Sequence, residues 1–352
     1  MAYTTVDNPE LYFQTKLYTG NGGTQSITLD GSENMQPDWV FFKQRTGTPS
    51  SSGSQVYDVV RGATKYLSTH ATNAEATQSN GLTSFDSDGF SIGNTTRING
   101  NTESYVAWNW KAGGSASSNT DGSITSSVSA NQDAGFSIVS YTGTGANATV
   151  GHGLSSVPYM MIIKKRNSAT GSNWMVYHKS ISGTGDGHLW LDLTNGRSDD
   201  VNSWNNTAPT SSVFSIGTRS ENNGSGDTFI AYCFAPKSGF SSMGQYTGNG
   251  NADGTFIYLG FKPAFMMVKR TDNTSSWPIT DGTRDTFNAV DNYLSANNSN
   301  AESDFDHADF LSNGIKFRTT NDGWNVSGGT YIYMAFASNP FVTSTGVPAT
   351  AR

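Results

Sequence analysis

The chain has 352 residues, a net charge of −7 and 14% charged residues, well below the roughly 25% of an average soluble domain. It has no cluster of Lys and Arg to provide a basic surface for nucleic acid, and no apolar run approaches the roughly 18 residues of a membrane span. The single cysteine, Cys233, excludes an internal disulfide and is interpreted as a small buried residue. The 39 glycines indicate short strands joined by tight turns. We therefore expect an all-β protein that neither binds nucleic acid nor inserts into a membrane.

The chain begins with a short leader, residues 1–12, that would pack on the first repeat or tether the chain to a partner. From Phe13 the sequence FQTKLYTG opens a first unit, and YTG followed by a Gly-rich turn recurs at Tyr141 and Tyr246. Glycine in these turns permits the positive φ that tight hairpin turns need. Each opening is predicted as a strand that ends in a tight turn.

An uninterrupted apolar run follows a proline in each unit, as PDWVFFKQR, PYMMIIKKR and PAFMMVKR. A run without alternation is typical of a strand that is buried on both faces and central in its sheet. The lysines that end these runs, Lys43, Lys164 and Lys269, are expected to reach solvent beyond the sheet edge.

An Asp-x-x-Arg pair follows in two of the three units. Asp58 and Arg61 in the first unit recur as Asp281 and Arg284 in the third, whereas the second unit has only His178 nearby. We expect a structural salt bridge or a turn-tying hydrogen bond, because a catalytic pair has no need to recur.

Each unit closes with a strand of strict alternation, YVAWNWKA, FIAYCFAP or YIYMAFAS. In the first copy Val106, Trp108 and Trp110 share one face, and the other copies place large apolar residues at the same positions. A period of two with one large apolar face is typical of a strand that lies on a core. Recurrence in three copies therefore indicates one domain design used three times.

The sequence predicts three tandem antiparallel β-sandwich domains of jelly-roll or lectin-like type. Repeat 1 spans residues 13–112, repeat 2 spans 136–239 and repeat 3 spans 240–341, followed by a tail of residues 342–352. The Gly- and Ser-rich residues 113–135 are predicted as a flexible linker, with an additional edge strand as the alternative.

The sequence predicts no metal site, no cofactor and no enzymatic activity. The five histidines form no His-x-x-x-His pair, and paired acids such as Asp199 and Asp200 stand on polar loops where acids are common. His188 lies between Asp186 and Asp192, but no serine in a nucleophile-elbow setting accompanies it.

Three large aromatic residues occur in one copy only and are the candidate ligand-binding residues: Trp190, Trp204 and Trp324. Trp204 in NSWNNT and Trp324 in NDGWNV stand in polar loops, where an exposed indole among amides and carboxylates suits stacking on a sugar. The alternative is a tryptophan that packs its loop onto its own sandwich.

The motifs YTGNGGTQSIT, PDWVFFKQR, VVRGATKYLST, NAEATQSNGLTSFDSDGFSIG and YVAWNWKAGGSASSNTDGSITSSVSA resemble a family of repeat proteins from tailed bacteriophages of marine bacteria and cyanobacteria. The likeness covers nearly the whole chain. Members look like virion structural proteins with lectin-like or SPRY-like sandwich domains. The resemblance implies a virion component on the tail or capsid surface, with other virion proteins as partners.

Two functions follow from this resemblance. The first is a tail-associated or fibre-like adhesin that binds host surface glycans through weak, multivalent contacts. The second is a capsid decoration or head-fibre protein with a structural role, anchored by the leader. We expect a homo-oligomer, and a trimer by analogy with virion proteins.

Overall fold

Antiparallel strands form most of the regular structure in the computed structural model, which describes residues 4–46, 53–169, 173–182 and 185–348. Residues 1–3 of the predicted leader and 349–352 of the predicted tail lie outside the described residues. A short 3-10 turn, Pro9–Leu11, precedes the first strand.

Repeat 1 contains β1 (Phe13–Thr19), β2 (Gln25–Thr28), β3 (Trp39–Gln44), β4 (Ser54–Asp58), β5 (Lys65–Ser68), β6 (Ala76–Thr77), β7 (Leu82–Asp86), β8 (Gly89–Ile92), α1 (Thr96–Asn99) and β9 (Ser104–Trp110). The segment after it contains β10 (Ser117–Asn119) and β11 (Ser126–Asn131). Repeat 2 contains β12 (Phe136–Thr142), β13 (Ala148–Gly151), β14 (Met160–Lys165), β15 (Met175–His178), β16 (Gly187–Trp190), β17 (Ser198–Asp199), α2 (Val201–Trp204), β18 (Val213–Ile216), α3 (Ser220–Asn223) and β19 (Thr228–Phe234). Repeat 3 contains β20 (Ser241–Thr247), β21 (Phe256–Tyr258), β22 (Phe261–Arg270), β23 (Pro278–Asp281), β24 (Val290–Ser295), β25 (Ser303–Leu311), β26 (Gly314–Phe317) and β27 (Thr330–Pro340).

The large sheets repeat one strand order. The sheet of repeat 1 has the order β1-β9-β3-β4-β5-β6. The sheet of repeat 2 has the order β12-β19-β14-β15-β16-β17, with β11 and β10 added beside β12. The sheet of repeat 3 has the order β20-β27-β22-β23-β24 and continues through β25 and β26 to β21. Two smaller sheets, β2-β8-β7 and β13-β18, complete the set in the described residues. The paired strands are antiparallel, so the predicted all-β class is confirmed.

The central strand of each large sheet is the one that follows the proline. β3 and β14 are buried along their whole length, as their uninterrupted apolar runs predict. Each closing strand, β9, β19 or β27, lies between the opening strand and this central strand. The most apolar strands of each repeat therefore sit side by side.

Residues 113–135 form part of a sheet in place of a flexible linker. Strand β11 pairs with β12 along the edge of the second large sheet, and β10 pairs with β11. This is the arrangement of the edge-strand alternative.

One central core is built from all three repeats. The large faces of the closing strands turn toward each other, so that Trp110 of repeat 1 lies 5.6 Å from the ring centroid of Phe336 in repeat 3. Trp39 of repeat 1 stacks on Tyr232 of repeat 2 at 4.6 Å, and Phe234 approaches Phe336 at 6.0 Å. Ring packing of this kind adds to the burial of apolar area. The opposite faces of the sheets pack into local cores in repeats 1 and 2.

Polar contacts join the repeats in a ring around this core. Trp108 of repeat 1 donates from Nε1 to Asp281 Oδ2 of repeat 3 at 3.0 Å, and the Tyr232 hydroxyl of repeat 2 donates to Asp58 Oδ2 of repeat 1 at 2.8 Å. Both aspartates also pair with a fully buried arginine three residues later, Arg284 or Arg61. The Asp-x-x-Arg pairs are therefore structural links between repeats.

The junction between repeats 2 and 3 has different side chains at these positions. In the strand register His178 lies opposite Met160, the first residue of β14. Asp58 lies in the same way opposite Trp39, the first residue of β3. The closing-strand residue that corresponds to Trp108 and Tyr232 is Met334, which cannot donate a hydrogen bond as they do. Burial lowers the pKa of His178 to about 4, so this junction uses a neutral ring where the others use a carboxylate.

The three strand-end lysines are buried, contrary to the expectation that they reach solvent. Each donates from Nζ to a loop carbonyl of the adjacent repeat: Lys43 to Asn298 at 2.5 Å, Lys164 to Thr72 at 2.9 Å and Lys269 to Thr194 at 2.8 Å. Burial lowers the pKa of Lys43 and Lys269 to about 7 and that of Lys164 to about 8. The adjacent repeat covers the end of each sheet, which the sequence of a single repeat does not reveal.

The connections between repeats lie together at one end of the ring, which we call the junction end. The closing strands finish there, and the chain continues into residues 113–135, 235–240 and 341–348. The YTG turns and the loops after the central strands lie at the opposite end, which we call the loop end. The leader joins the junction end, since Thr5 N donates to Ser238 O at 3.4 Å and Ser344 N donates to Asp7 Oδ1 at 2.7 Å.

A buried asparagine holds the opening turn of each repeat: Asn99, Asn223 and Asn325. Asn99 Nδ2 donates to Gly23 O at 2.6 Å and Gly93 O at 2.8 Å, and its Oδ1 accepts from Asn21 N at 2.9 Å. The other two asparagines make the same kind of bonds in their repeats. The YTG tyrosine donates to the carbonyl just before this asparagine in every copy.

Replacing Asn99 by alanine is expected to lower the free energy of unfolding by about 1 to 3 kcal/mol, because buried backbone groups lose their partners. Chemical denaturation measures the change. Asn101→Ala is the matched control, since Asn101 is exposed two residues away and its replacement should change stability by about 0.5 kcal/mol or less. Equal effects of the two substitutions would contradict this role of Asn99.

Candidate functional site

Trp204 is buried, in contrast to an exposed indole that a sugar could reach. Its side chain is 1% exposed, its Nε1 donates to Gly187 O at 3.0 Å, and its ring packs edge-to-face on Tyr177 at 5.5 Å. It closes the short helix α2 onto the local core of repeat 2. This matches the alternative of a tryptophan that packs its loop onto its own repeat.

Trp190 is half-buried at the end of β16. Its Nε1 donates to Glu221 Oε1 at 3.1 Å, and the guanidinium of Arg219 lies 5.6 Å from its ring centroid. Its carbonyl accepts from Trp277 Nε1 of repeat 3 at 2.9 Å. Charged side chains therefore cover much of the ring that a ligand would use.

Trp324 is 2% exposed, so its indole is buried as well. Its ring stacks on His307 at 4.3 Å, and its carbonyl accepts from the hydroxyl of Tyr246 at 2.6 Å. Unlike Trp190 and Trp204, it lines an open cleft in repeat 3.

This cleft, which we call the repeat 3 cleft, has a volume of about 270 Å³ and lies at the loop end. Its aromatic lining residues are Tyr293, Phe305 and Trp324. Its polar lining residues are Ser275, Ser276, Ser295, Asn298, Asn300, Ser303, Asn321 and Asp322. A few polar groups around apolar faces are typical of small-ligand sites.

The aromatic side of the cleft is a packed group of rings. Tyr293 and Phe305 meet edge-to-face at 5.4 Å, and Tyr293 lies 6.2 Å from Trp324 at 89°. Tyr293 and Phe305 are partly exposed, whereas Trp324 and His307 are buried beneath them. The buried pair thus supports the two rings that a ligand can reach.

The polar side of the cleft is held by the backbone. Asn300 N donates to Asn298 Oδ1 at 3.1 Å, Gly323 N donates to Asn321 Oδ1 at 2.8 Å, and the Asp322 carbonyl accepts from Tyr331 at 2.7 Å. The side chains of Asn300, Asn321 and Asp322 are exposed. Fixed loops therefore present amide and carboxylate groups opposite the rings.

Residues 8–340 match the family model described as Domain of unknown function (DUF7483). The chain belongs to this family. The DUF7483 match runs through all three repeats and through residues 113–135 as one stretch, in agreement with their shared core. No curated protein matches the sequence.

This DUF7483 chain contains a Ser-His pair that its sequence does not suggest. The Ser203 hydroxyl and His188 Nδ1 are 3.1 Å apart, and both side chains are fully buried. Cys233 is buried as predicted, and burial raises the pKa of its thiol to about 12. These groups pack the local core of repeat 2, where a substrate has no access.

Among the described residues of the DUF7483 chain, no three His, Cys, Asp or Glu side chains converge as metal ligands do. Within the same ranges, no helix has the length and apolarity to cross a membrane.

The repeat 3 cleft could be found in part from the sequence. Trp324 is a candidate because it occurs in one copy only. Tyr293 in NYLS has a counterpart in repeat 1, Tyr66 in KYLS, and such recurrence indicates a shared role in the fold. The difference between the two tyrosines lies in what covers them, which a motif does not show.

Proposed function

We propose that the chain is a structural protein of a phage virion, a tail-associated or fibre-like adhesin that binds host surface glycans. The observation that carries this proposal is the repeat 3 cleft, which is lined by Tyr293 and Phe305 together with exposed amide and carboxylate side chains. Aromatic faces pack against the C–H faces of sugars, while amides and carboxylates bind their hydroxyls.

The proposed domain type agrees with this function. We infer that each repeat is a lectin-like β-sandwich whose large sheet packs on its short strands. In repeat 1, Phe42 of β3 lies 5.0 Å from Phe90 of β8, so side chains of the two sheets interdigitate. The three repeats would then be sandwiches fused through the central core.

The two ends of the ring suit different partners. The junction end holds the leader and the connections, and would face other virion proteins. Exposed Leu11 and Val347 supply apolar contact area on these segments, and exposed Tyr258 of β21 lies beside the connections. The loop end with its cleft would face the host. A homo-oligomer, with a trimer as the proposed state, would present several clefts together.

Capsid decoration or a head fibre is the second candidate. The leader residues Thr4 and Val6 are buried against the rest of the protein. If the leader anchors the protein to a capsid, it would therefore do so together with the rest of the junction end. Such a protein would bind capsids without needing the cleft.

Glycan-array binding of the whole chain tests the proposal. Tyr293→Ala should weaken binding about tenfold or more, since about 1.4 kcal/mol of lost stacking changes Kd by that factor. Tyr66→Ala is the matched control, because Tyr66 holds the same place in β5 that Tyr293 holds in β24 and the Arg97 guanidinium lies 5.6 Å from its ring. Equal losses in both variants would contradict the cleft assignment. Binding to purified capsids without binding to any glycan would overturn the adhesin in favour of decoration.

A further inference from the structure

The buried asparagines identify equivalent positions near the loop end of each repeat. Two residues before Asn99, Asn223 and Asn325 stand Arg97, Glu221 and Gly323. Strand register gives a second set of equivalent positions. One leucine of β5, β16 and β24 lies opposite the corresponding residue of the preceding strand: Leu67 opposite Val56, Leu189 opposite Val176 and Leu294 opposite Ile279. The residues just before these leucines, Tyr66, His188 and Tyr293, are therefore equivalent. The surroundings of the cleft can therefore be compared across the three copies.

In repeats 1 and 2, side chains fill the position that is equivalent to the repeat 3 cleft. In repeat 1 the guanidinium of Arg97 lies over the Tyr66 ring. In repeat 2 the carboxylate of Glu221 binds Trp190, Arg219 covers the same indole, and His188 is fully buried. A ligand would have to displace a charged side chain in either repeat.

Repeat 3 has glycine at the same position, so no side chain extends from it over Tyr293, whose ring is partly exposed and lines the cleft. A Cβ on Gly323 would lie 3.2 Å from Asn321 Oδ1 and 3.6 Å from Ser275 Oγ, both of which line the cleft. A longer side chain would project further into this space. The cleft is thus open because Gly323 has no side chain to fill it.

The charges around the cleft restrict the ligand. Asp322 is the one charged residue among the described residues that line it. The guanidinium of Arg270 pairs with Asp272 at 3.0 Å and lies 3.7 Å from Asp322 Oδ2. An anionic sugar would meet a carboxylate without a lining cation, whereas sugar hydroxyls can donate to that carboxylate in charge-assisted hydrogen bonds.

We propose that the chain has one sugar site, in repeat 3, that takes uncharged glycans and rejects acidic ones. Asp322 accepts hydrogen bonds from the sugar hydroxyls, Tyr293 and Phe305 hold the apolar face, and Gly323 leaves the entrance open. This inference rests on the proposed function. With one site per chain, multivalent binding would require several chains in one assembly and could not come from the three repeats of a single chain.

The experiment compares glycans that end in neutral hexoses or N-acetylhexosamines with glycans that end in uronate, sialate or sulfated sugars. Wild type should bind neutral glycans with one site per chain in titration calorimetry. Gly323→Arg, which copies repeat 1, should weaken binding about tenfold or more, and Asp322→Asn about tenfold. Gly323→Ala is the matched control and should stay within about threefold of wild type. Thermal melts of the variants check that each is folded.

The outcomes separate this inference from the proposed function. Binding of acidic glycans in preference to neutral ones, or three sites per chain, would overturn the inference and leave the adhesin intact. Full binding by folded Gly323→Arg would also overturn it. Failure of wild type to bind any glycan would overturn the proposed function and the inference together.

Discussion

Replacement of Trp110 by alanine should lower the free energy of unfolding by about 3 to 5 kcal/mol and destabilise the three repeats together. Trp110 is 1% exposed and packs on Phe13 at 4.9 Å and Trp39 at 4.5 Å within repeat 1. It also packs on Phe265 and Phe336 of repeat 3, each at 5.6 Å. The cavity would therefore open in the core that joins the repeats, and the loss should appear as one shifted transition in calorimetry.

The exposed Phe287 provides the control for this substitution. Its side chain is 77% exposed, so Phe287→Ala should change stability by about 0.5 kcal/mol or less. If Trp110→Ala produced a separate early transition while repeats 2 and 3 unfolded as in the wild type, the repeats would be independent domains. That result would contradict a shared core.

Removal of the carboxylate of Asp281 should cost a comparable amount, about 3 to 5 kcal/mol, because it leaves a buried cation without its main partner. The Arg284 guanidinium is fully buried and donates from Nε to Asp281 at 2.6 Å, and Trp108 Nε1 loses its acceptor as well. Glu302 stays at 2.9 Å as the remaining carboxylate. Denaturant unfolding of Asp281→Ala measures the loss.

Asp253→Ala is the matched control for the buried pair. Asp253 also pairs with a base, Lys316 at 3.0 Å, but its side chain is 79% exposed, so solvent screens the pair and Asp253→Ala should destabilise the protein far less than Asp281→Ala. The double variant Asp281→Ala/Arg284→Met should recover much of the stability, since no buried charge is then left unpaired. A double variant as unstable as the single one would show that the charge is not the cause.

The sequence identifies the closing strand but not the core that it covers. Alternation in YVAWNWKA predicts that Trp108 and Trp110 share a buried face, and they do. It does not predict that Asp281 and Phe336, which belong to another repeat, complete that face. An alternation with a period of two shows which face of one strand is buried. The residues that pack against that face depend on how the sheets assemble.

The same limit explains the errors over exposure. Lys43 ends an apolar run and would be solvated in an isolated sandwich, but the loop at Asn298 of repeat 3 covers it. Trp204 stands among asparagines, yet its indole turns inward, where its Nε1 donates a hydrogen bond to Gly187 O and its ring packs on Tyr177. Local composition describes the neighbours along the chain, and burial depends on neighbours in space.

The ring of contacts also determines how many repeats can share this core. An open array of repeats leaves two end surfaces that need capping units, and copies can be added or lost at either end. Here repeat 3 contacts repeat 1 through Trp108 and Asp281, so each repeat is already covered by its two neighbours. A fourth copy would find no free face on this core, and loss of one would expose the apolar faces of the other two. The number of copies around one core is therefore a property of the closed geometry.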